Sequence, residues 1–123
     1  MLILHVEDDG DIREIAKMAL EIDDDVSVKQ CDCGEAAIAV ASDIRPDVLL
    51  LDVMMPGATG PETLMQLRRF EHLTKTPAIY MTARAQPSEV VDLKKTGALG
   101  VIIKPFDPMT LGQQIKDILA SAV

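Results

Sequence analysis

Short apolar runs alternate with amphipathic stretches along the chain. Five runs are almost continuously apolar, and they occupy residues 2–6, 26–28 with a continuation to Cys31, 48–51, 78–81 and 101–103. Strands that are buried on both faces of a parallel sheet have this pattern. The runs therefore predict five buried strands.

Between the runs, apolar residues recur with helical spacing. Three stripes comprise Ile12, Ile15, Ala16, Ala19 and Leu20; Ala37, Val40, Ala41 and Ile44; and Ile115, Ile118, Leu119 and Ala122. Residues 61–70 and 88–96 are weaker helix candidates, and Asp11 followed by Glu14 has the spacing of a capping box. Five β-α units in a row predict a doubly wound α/β fold, with a parallel sheet, right-handed crossovers and helices on both faces.

The length of 123 residues predicts one domain over residues 1–123, and the hydrophobic fraction of 48% is enough for a packed core. The apolar runs are far shorter than the about 20 residues of a membrane span. The first residues, MLILHVEDD, lack a basic leader, so we expect no signal peptide. Cys31 and Cys33 are expected to be reduced thiols near a strand end, which favours a cytoplasmic protein.

The charge balance limits the class of partner. Acidic residues outnumber basic ones by 20 to 12, for a net charge of −8. Direct binding to nucleic acid relies on Lys and Arg that neutralise phosphates, so the balance argues against it. It suits a protein that meets cations or basic partner surfaces.

Charged or hydroxyl-bearing side chains follow four of the five predicted strands. They are Glu7, Asp8 and Asp9 after the first strand, Asp52 at the end of the third, Thr82 at the end of the fourth and Lys104 at the end of the fifth. Ligands of open α/β sheets bind beyond the carboxyl ends of the strands. We therefore expect a site at this edge.

Asp52 ends the most apolar run, VLLLD, so its carboxylate needs a partner. Glu7 and Asp8 would disfavour its ionised form, and Mg²⁺ would relieve that repulsion. A carboxylate nucleophile can attack a phosphoryl donor, while the metal and Lys104 neutralise charge on the phosphoryl oxygens. The hydroxyl of Thr82 can then donate a hydrogen bond to the new group.

Each group also has a plainer interpretation when it is taken alone. The acidic triplet at residues 7–9 could be a solvated helix N-terminus that the helix dipole favours. Lys104 could be a structural counter-ion, and Thr is common in strands. His5 in the first predicted strand and His72 in a predicted loop are both interpreted as structural residues.

Four segments, in order, closely resemble the receiver domain of two-component response regulators, of the chemotaxis-regulator kind. They are ILHVEDDGDIREI, PDVLLLDVMMPGATG, PAIYMTAR and GALGVIIKPF. The resemblance covers essentially the whole chain. It implies a flavodoxin-like (βα)5 sandwich whose sheet has the strand order 2-1-3-4-5.

The resemblance also implies roles for residues. Asp52 would be the phosphoacceptor, and Asp8, Asp52 and the backbone carbonyl of Met54 would bind Mg²⁺ or Mn²⁺ directly. Glu7 would act through metal-bound water, and Asp9 would serve the helix N-terminus instead. Lys104 would contact the phosphoryl group, and its bond to Pro105 would be cis. Thr82, with Ala83 beside it, would carry the signal toward the face of helix four, strand five and helix five.

Implied partners are a histidine kinase or a histidine phosphotransfer protein as donor, and a downstream protein or fused output domain as reader. No membrane or nucleic-acid contact by this chain is expected. The last helix carries no Arg, unlike receivers that dimerise to drive winged-helix domains, so we expect a stand-alone receiver or one excised from a hybrid kinase. The resemblance implies that Met54 and Arg84 stand at positions that, in the family, influence how fast the acyl phosphate hydrolyses.

One position departs from the pattern. Val101 stands where the family usually has Tyr or Phe, and a Val cannot swing a ring between buried and exposed rotamers. A pseudo-receiver whose conformation ignores phosphate is therefore an alternative. An Asp-nucleophile phosphatase is a second alternative, although Met54 stands where a second Asp would be expected.

Overall fold

The computed structural model describes residues 1–84 and 86–121. Within that part of the chain, strands alternate with helices in the order β1 (Leu2–Val6), α1 (Gly10–Leu20), β2 (Ser27–Cys31), α2 (Gly34–Ala41), β3 (Val48–Asp52), α3 (Gly60–Leu67), a 3-10 turn (Glu71–Leu73), β4 (Ala78–Thr82), α4 (Pro87–Lys95), β5 (Gly100–Ile103) and α5 (Leu111–Ser121). The strands form a parallel sheet in the order β2-β1-β3-β4-β5. The predicted fold class and the implied strand order are confirmed.

The central strands are buried on both faces, as their continuous apolar character predicts. Every residue of β3 and β4 is buried. Because side chains alternate along a strand, Leu49 and Leu51 join the core on one face of the sheet and Leu50 joins the other. Residues of α2 and α3 cover the first core, while residues of α1 and α5 cover the second.

Helix boundaries differ from the prediction in two places. The N-cap of α1 is Asp9, whose side chain accepts hydrogen bonds from the amides of Asp11 and Ile12, so the interpretation of Asp11 as the cap is wrong. A full capping box instead starts α3, where Thr59 and Glu62 bond each other's backbone amides. Several acidic residues near one helix start can each act as a cap, and spacing alone does not choose among them.

The predictions for Ile15 and His72 also need correction. Ile15 was expected on the buried stripe of the first helix, but it lies at the edge of that stripe and is 46% exposed. His72 lies in the 3-10 turn and not in a loop, and its Nε2 lies 2.8 Å from the carbonyl oxygen of Ala41. Ala122 of the last stripe is outside the described residues. None of the described helices is long and apolar enough to span a bilayer.

Candidate functional site

The carboxyl ends of the parallel strands meet at one edge and form an acidic cleft. Its volume is about 270 Å³. The cleft is lined by Glu7, Asp8, Asp9, Ile12, Asp52, Met54, Thr82, Ala83, Arg84 and Lys104. The structure therefore brings together most of the site residues that the sequence suggested.

Lys104 lies between two carboxylates at the centre of the cleft. Its Nζ is 2.5 Å from Oε1 of Glu7 and 3.1 Å from Oδ1 of Asp52. Glu7 is fully buried and Asp52 is 4% exposed. The loop after β1 and the ends of β3 and β5 thus supply a buried network of two acids and one base.

Burial and neighbouring charge shift the pKa values of this network. Burial raises the pKa of the Glu7 carboxyl, the hydrogen bond from Lys104 lowers it and the nearby charge of Asp52 raises it, so that the net pKa is about 7. Burial lowers the pKa of Lys104, but the hydrogen bonds to Glu7 and Asp52 outweigh burial, so the net pKa lies above its ordinary value. The two carboxylates of Glu7 and Asp52 therefore carry more negative charge than the single ammonium of Lys104 can neutralise.

The acidic residues fit a hard divalent cation. One carboxylate oxygen from each of Glu7, Asp8 and Asp52 lies within 4.8 Å of the others. Two oxygens bound to one Mg²⁺ are at most about 4.2 Å apart, and Mg²⁺ usually keeps several waters as further ligands. Small side-chain movements, or a bridging water at one carboxylate, bring this donor set within reach of one ion. Asp8 is the exposed member and faces solvent.

The loop after β1 is shaped by short local hydrogen bonds. Besides capping α1, Asp9 donates its backbone amide to Oε2 of Glu7 at 3.2 Å. The Asp9 side chain is therefore committed to the helix start, as expected for the third acidic residue. This leaves Glu7 and Asp8 as the acidic pair that meets Asp52.

Thr82 ends β4 at the wall of the cleft and is 3% exposed. Its hydroxyl oxygen accepts a hydrogen bond from the backbone amide of Arg84 at 3.0 Å. The backbone amide of Lys104 donates to the carbonyl oxygen of Thr82 at 2.8 Å, which fixes the lysine next to β4. The exposed Ala83 completes this wall.

Two suggested residues lie away from the cleft. Val101 is half-buried in β5 opposite Tyr80 and packs against the core on the side of α2 and α3. Pro105 follows Lys104 through a cis peptide bond, as expected, and lines a neighbouring apolar cleft together with Phe106.

His5 is fully buried in β1 beneath the acidic loop. Its Nδ1 lies 3.2 Å from Nε2 of Gln30, and within the described residues its Nε2 has no hydrogen-bond partner. Burial, with smaller contributions from the charges of Lys104 and Arg13, lowers its pKa to about 4. A neutral, enclosed imidazole agrees with the structural interpretation.

Two contacts around the site were not anticipated from the sequence. The guanidinium of Arg13 bonds the backbone of the acidic loop. A Cβ atom on Gly60 would lie 2.6 Å from the carbonyl oxygen of Asp52, so only glycine fits there. The sequence does place Arg13 near the start of a helix, where the helix dipole disfavours a cation, and this unfavourable position could have indicated a special contact. The sequence shows Gly60 but not what it approaches.

Comparisons with known proteins place the chain in a family. The model of the response regulator receiver domain matches residues 3–116. The phosphate regulon transcriptional regulatory protein PhoB of Pseudomonas aeruginosa is 35% identical over 117 residues, which are 95% of this chain and 51% of that protein. The transcriptional regulatory protein ResD of Bacillus subtilis is 33% identical over 120 residues, which are 98% of this chain and 48% of that protein.

This chain thus spans about half the length of these relatives. Among solved structures, the chemotaxis response regulator CheY4 of Vibrio cholerae has a TM-score of 0.87 at 32% identity, and the alignment covers 95% of this chain and 97% of that chain.

Proposed function

This chain belongs to the response regulator receiver domains, and on that premise we propose that it is a phosphorylation switch whose phosphoacceptor is Asp52. The observation that carries the proposal is the buried Asp52 carboxylate at the sheet edge, 3.1 Å from the ammonium of Lys104 and grouped with Glu7 and Asp8. We further propose that residues 1–123 form one receiver unit.

The reaction is a transfer between a phosphohistidine and Asp52. A carboxylate oxygen of Asp52 forms a bond to phosphorus, and the bond between phosphorus and the donor's imidazole nitrogen breaks. That nitrogen leaves with the electron pair, and the ring is released as a neutral imidazole because its other nitrogen carries a proton in the donor or takes one from solvent. The ammonium of Lys104 balances charge on the phosphoryl oxygens, because it already lies within contact distance of Asp52. In autodephosphorylation, water attacks the same phosphorus and the bond between phosphorus and the Asp52 oxygen breaks, which returns the carboxylate and releases inorganic phosphate and a proton.

Asp8, Asp52 and the backbone carbonyl of Met54 are the proposed direct ligands of Mg²⁺ or Mn²⁺, with Glu7 acting through a bound water. When bound, the ion supplies charge neutralisation at the phosphoryl oxygens. Glu7 accepts a hydrogen bond from Lys104. A divalent cation held by the acidic cluster would balance the charge of Glu7, and the ammonium of Lys104 would then be free to contact the phosphoryl oxygens.

The signal leaves the site through Thr82. The phosphoryl group on Asp52 offers strong acceptor oxygens, and the hydroxyl of Thr82 turns to donate to them. That movement breaks the hydrogen bond that the backbone amide of Arg84 donates to the Thr82 hydroxyl oxygen in the unphosphorylated structure. Helix α4 is fully described and none of its residues is buried, so it is easily displaced. Val101 keeps its place in the core, and transmission does not need an aromatic rotamer change.

Partners follow from the family role. The donor is a histidine kinase or a histidine phosphotransfer protein, and the reader is a downstream protein or an output domain on the same chain. The reader contacts the face formed by α4, β5 and α5. Val91 and Ile103, which are 52% and 54% exposed, supply apolar contacts on this side of the molecule.

The first test is labelling by a small-molecule phosphodonor in the presence of Mg²⁺. The wild-type chain is expected to take one phosphoryl group, and Asp52→Asn is expected to take none. Asp43→Asn, an exposed acid in the loop before β3, is the matched control and should label like the wild type. Stoichiometric labelling of Asp52→Asn would refute the assignment of the phosphoacceptor.

A second test addresses switching. NMR amide shifts are compared before and after addition of beryllofluoride with Mg²⁺, which mimics the phosphoryl group. We expect shifts at Asp52 and Thr82 and along α4. Shifts confined to the cleft would instead favour the pseudo-receiver alternative.

A further inference from the structure

Arg13 of α1 reaches back to the backbone of the acidic loop. Its Nη1 donates to the carbonyl oxygen of Glu7 at 2.8 Å and to the carbonyl oxygen of Asp8 at 3.1 Å. The side chains of these two residues belong to the acidic cluster with Asp52. One guanidinium nitrogen therefore holds the main chain at both residues that point carboxylates into the cleft.

The arginine itself is fixed to the sheet. Nε2 of Gln30 in β2 donates to the carbonyl oxygen of Arg13 at 2.7 Å, and the same nitrogen lies 3.2 Å from Nδ1 of the buried His5. The backbone amide of Arg13 donates to the carbonyl oxygen of Asp9 at 3.0 Å. The half-buried Arg13 is thus held from two sides, and its position relative to β1 and β2 is set by hydrogen bonds.

An ion pair does not explain this residue. The ion pairs found within residues 1–84 and 86–121 involve Lys104 and Lys116, and none involves Arg13. Next to a site for a divalent cation, a guanidinium is electrostatically unfavourable, because like charges repel. Its contribution to that site must therefore come from the two carbonyl groups that it holds.

We propose that Arg13 is a positioning residue of the metal site, which fixes the backbone at Glu7 and Asp8 so that their carboxylates converge with Asp52. This inference rests on the proposed function, since it concerns the Mg²⁺ site of the phosphoacceptor. Groups that orient metal ligands typically change metal affinity by about 10–100-fold when they are removed. Arg13 touches neither the phosphoryl group nor its donor.

A role for Arg13 as a charge and a role as a positioning residue predict opposite changes in Mg²⁺ affinity for Arg13→Met. If Arg13 acted only as a nearby positive charge, Arg13→Met would tighten Mg²⁺ binding. If it positions the loop, Arg13→Met weakens binding, because Glu7 and Asp8 gain freedom that Mg²⁺ must then remove. Arg13→Lys separates the two effects further: it keeps the charge, but an ammonium does not reproduce the planar fork of the guanidinium.

The experiment is an NMR titration with MgCl2 at constant ionic strength, with urea unfolding of each variant measured in parallel. We expect the Kd for Mg²⁺ to rise by about 10–100-fold in Arg13→Met and to rise less in Arg13→Lys. Lys17→Met is the matched control: Lys17 is an exposed cation one turn further along α1 and should keep the wild-type affinity or tighten it slightly. At saturating Mg²⁺, phosphorylation of Arg13→Met should return to the wild-type rate.

The outcomes are distinguishable. Folded Arg13→Met that binds Mg²⁺ as tightly as the wild type, or more tightly, overturns the assignment while the proposed function stands. If Arg13→Met does not fold, unchanged affinity in Arg13→Lys has the same meaning. A wild-type chain that does not bind Mg²⁺ overturns both the metal-assisted function and the role of Arg13.

Discussion

His5 makes the stability of this protein depend on pH in a direction that can be worked out. Burial, with Lys104 and Arg13 adding to it, lowers the pKa of His5 from 6.5 to about 4. Between these values the unfolded chain binds more protons at this residue than the folded chain. The contribution of His5 to stability is therefore complete above pH 6.5 and is lost as the pH falls toward 4.

The magnitude follows from the size of the shift. One pKa unit corresponds to about 1.4 kcal/mol, so acidification from pH 7.5 to 5.0 should remove about 2 kcal/mol through His5. Glu7 acts in the opposite direction: its pKa is raised from 4.5 to about 7, so it makes the folded state less stable as the pH rises through that window. The effects of His5 and Glu7 on the pH dependence of the free energy of unfolding partly cancel in the wild-type protein. Only a comparison with a variant that lacks His5 isolates the contribution of this residue.

The assay is urea unfolding of the wild type and of His5→Leu at pH values from 5.0 to 7.5, with a chelator present to keep Mg²⁺ away from Glu7. The lost contact with Gln30 gives His5→Leu an offset that does not depend on pH. The wild type should lose about 2 kcal/mol relative to the variant on going from pH 7.5 to 5.0. A difference that stays constant over this range would refute the reasoning.

Three further substitutions test the packing around the site. Gly60→Ala places a Cβ atom 2.6 Å from the carbonyl oxygen of Asp52, so we expect a loss of about 1–3 kcal/mol in urea unfolding and slower labelling of Asp52. Normal stability together with normal labelling would contradict this. Tyr80→Phe removes the hydrogen bond between the Tyr80 hydroxyl and Oγ1 of Thr96 and should cost about 1 kcal/mol in the same assay. Leu50→Ala leaves a cavity at a fully buried position in β3 and should lower the free energy of unfolding by about 2–5 kcal/mol in urea unfolding. A smaller loss would show that the neighbouring side chains move in to fill the cavity.

Much of the fold could be predicted because the determinants are local. The run VLLLD is apolar at every position before the Asp, and it forms β3, buried at every residue. Parallel strands with short runs and helical connections leave few arrangements, so the carboxyl-edge location of Asp52 and Lys104 also followed from their positions in the chain. These features depend on the period of apolar residues, which a sequence records directly.

The contacts between segments distant in sequence, and the choice between equivalent neighbours, required the tertiary structure. Spacing favoured Asp11 as the cap of α1, whereas the family resemblance assigned Asp9 to the helix N-terminus, and the structure has Asp9 as the cap. Spacing alone did not choose, because the acidic residues near this helix start have similar capping capacity. Ile15 shares the helical stripe with Ala16, yet only the angle at which α1 packs on the sheet decides that Ile15 is 46% exposed.

The same distinction applies to the site. The amino-acid sequence by itself determined which groups reach the cleft, because each of Asp52, Thr82 and Lys104 stands at the end of an apolar run. Only the tertiary structure decided that Lys104 lies 2.5 Å from Glu7 and that Arg13 holds the carbonyl groups of the acidic loop. Such contacts depend on side-chain direction and on distances across several elements, and neither has a signature in the spacing of residues along the chain.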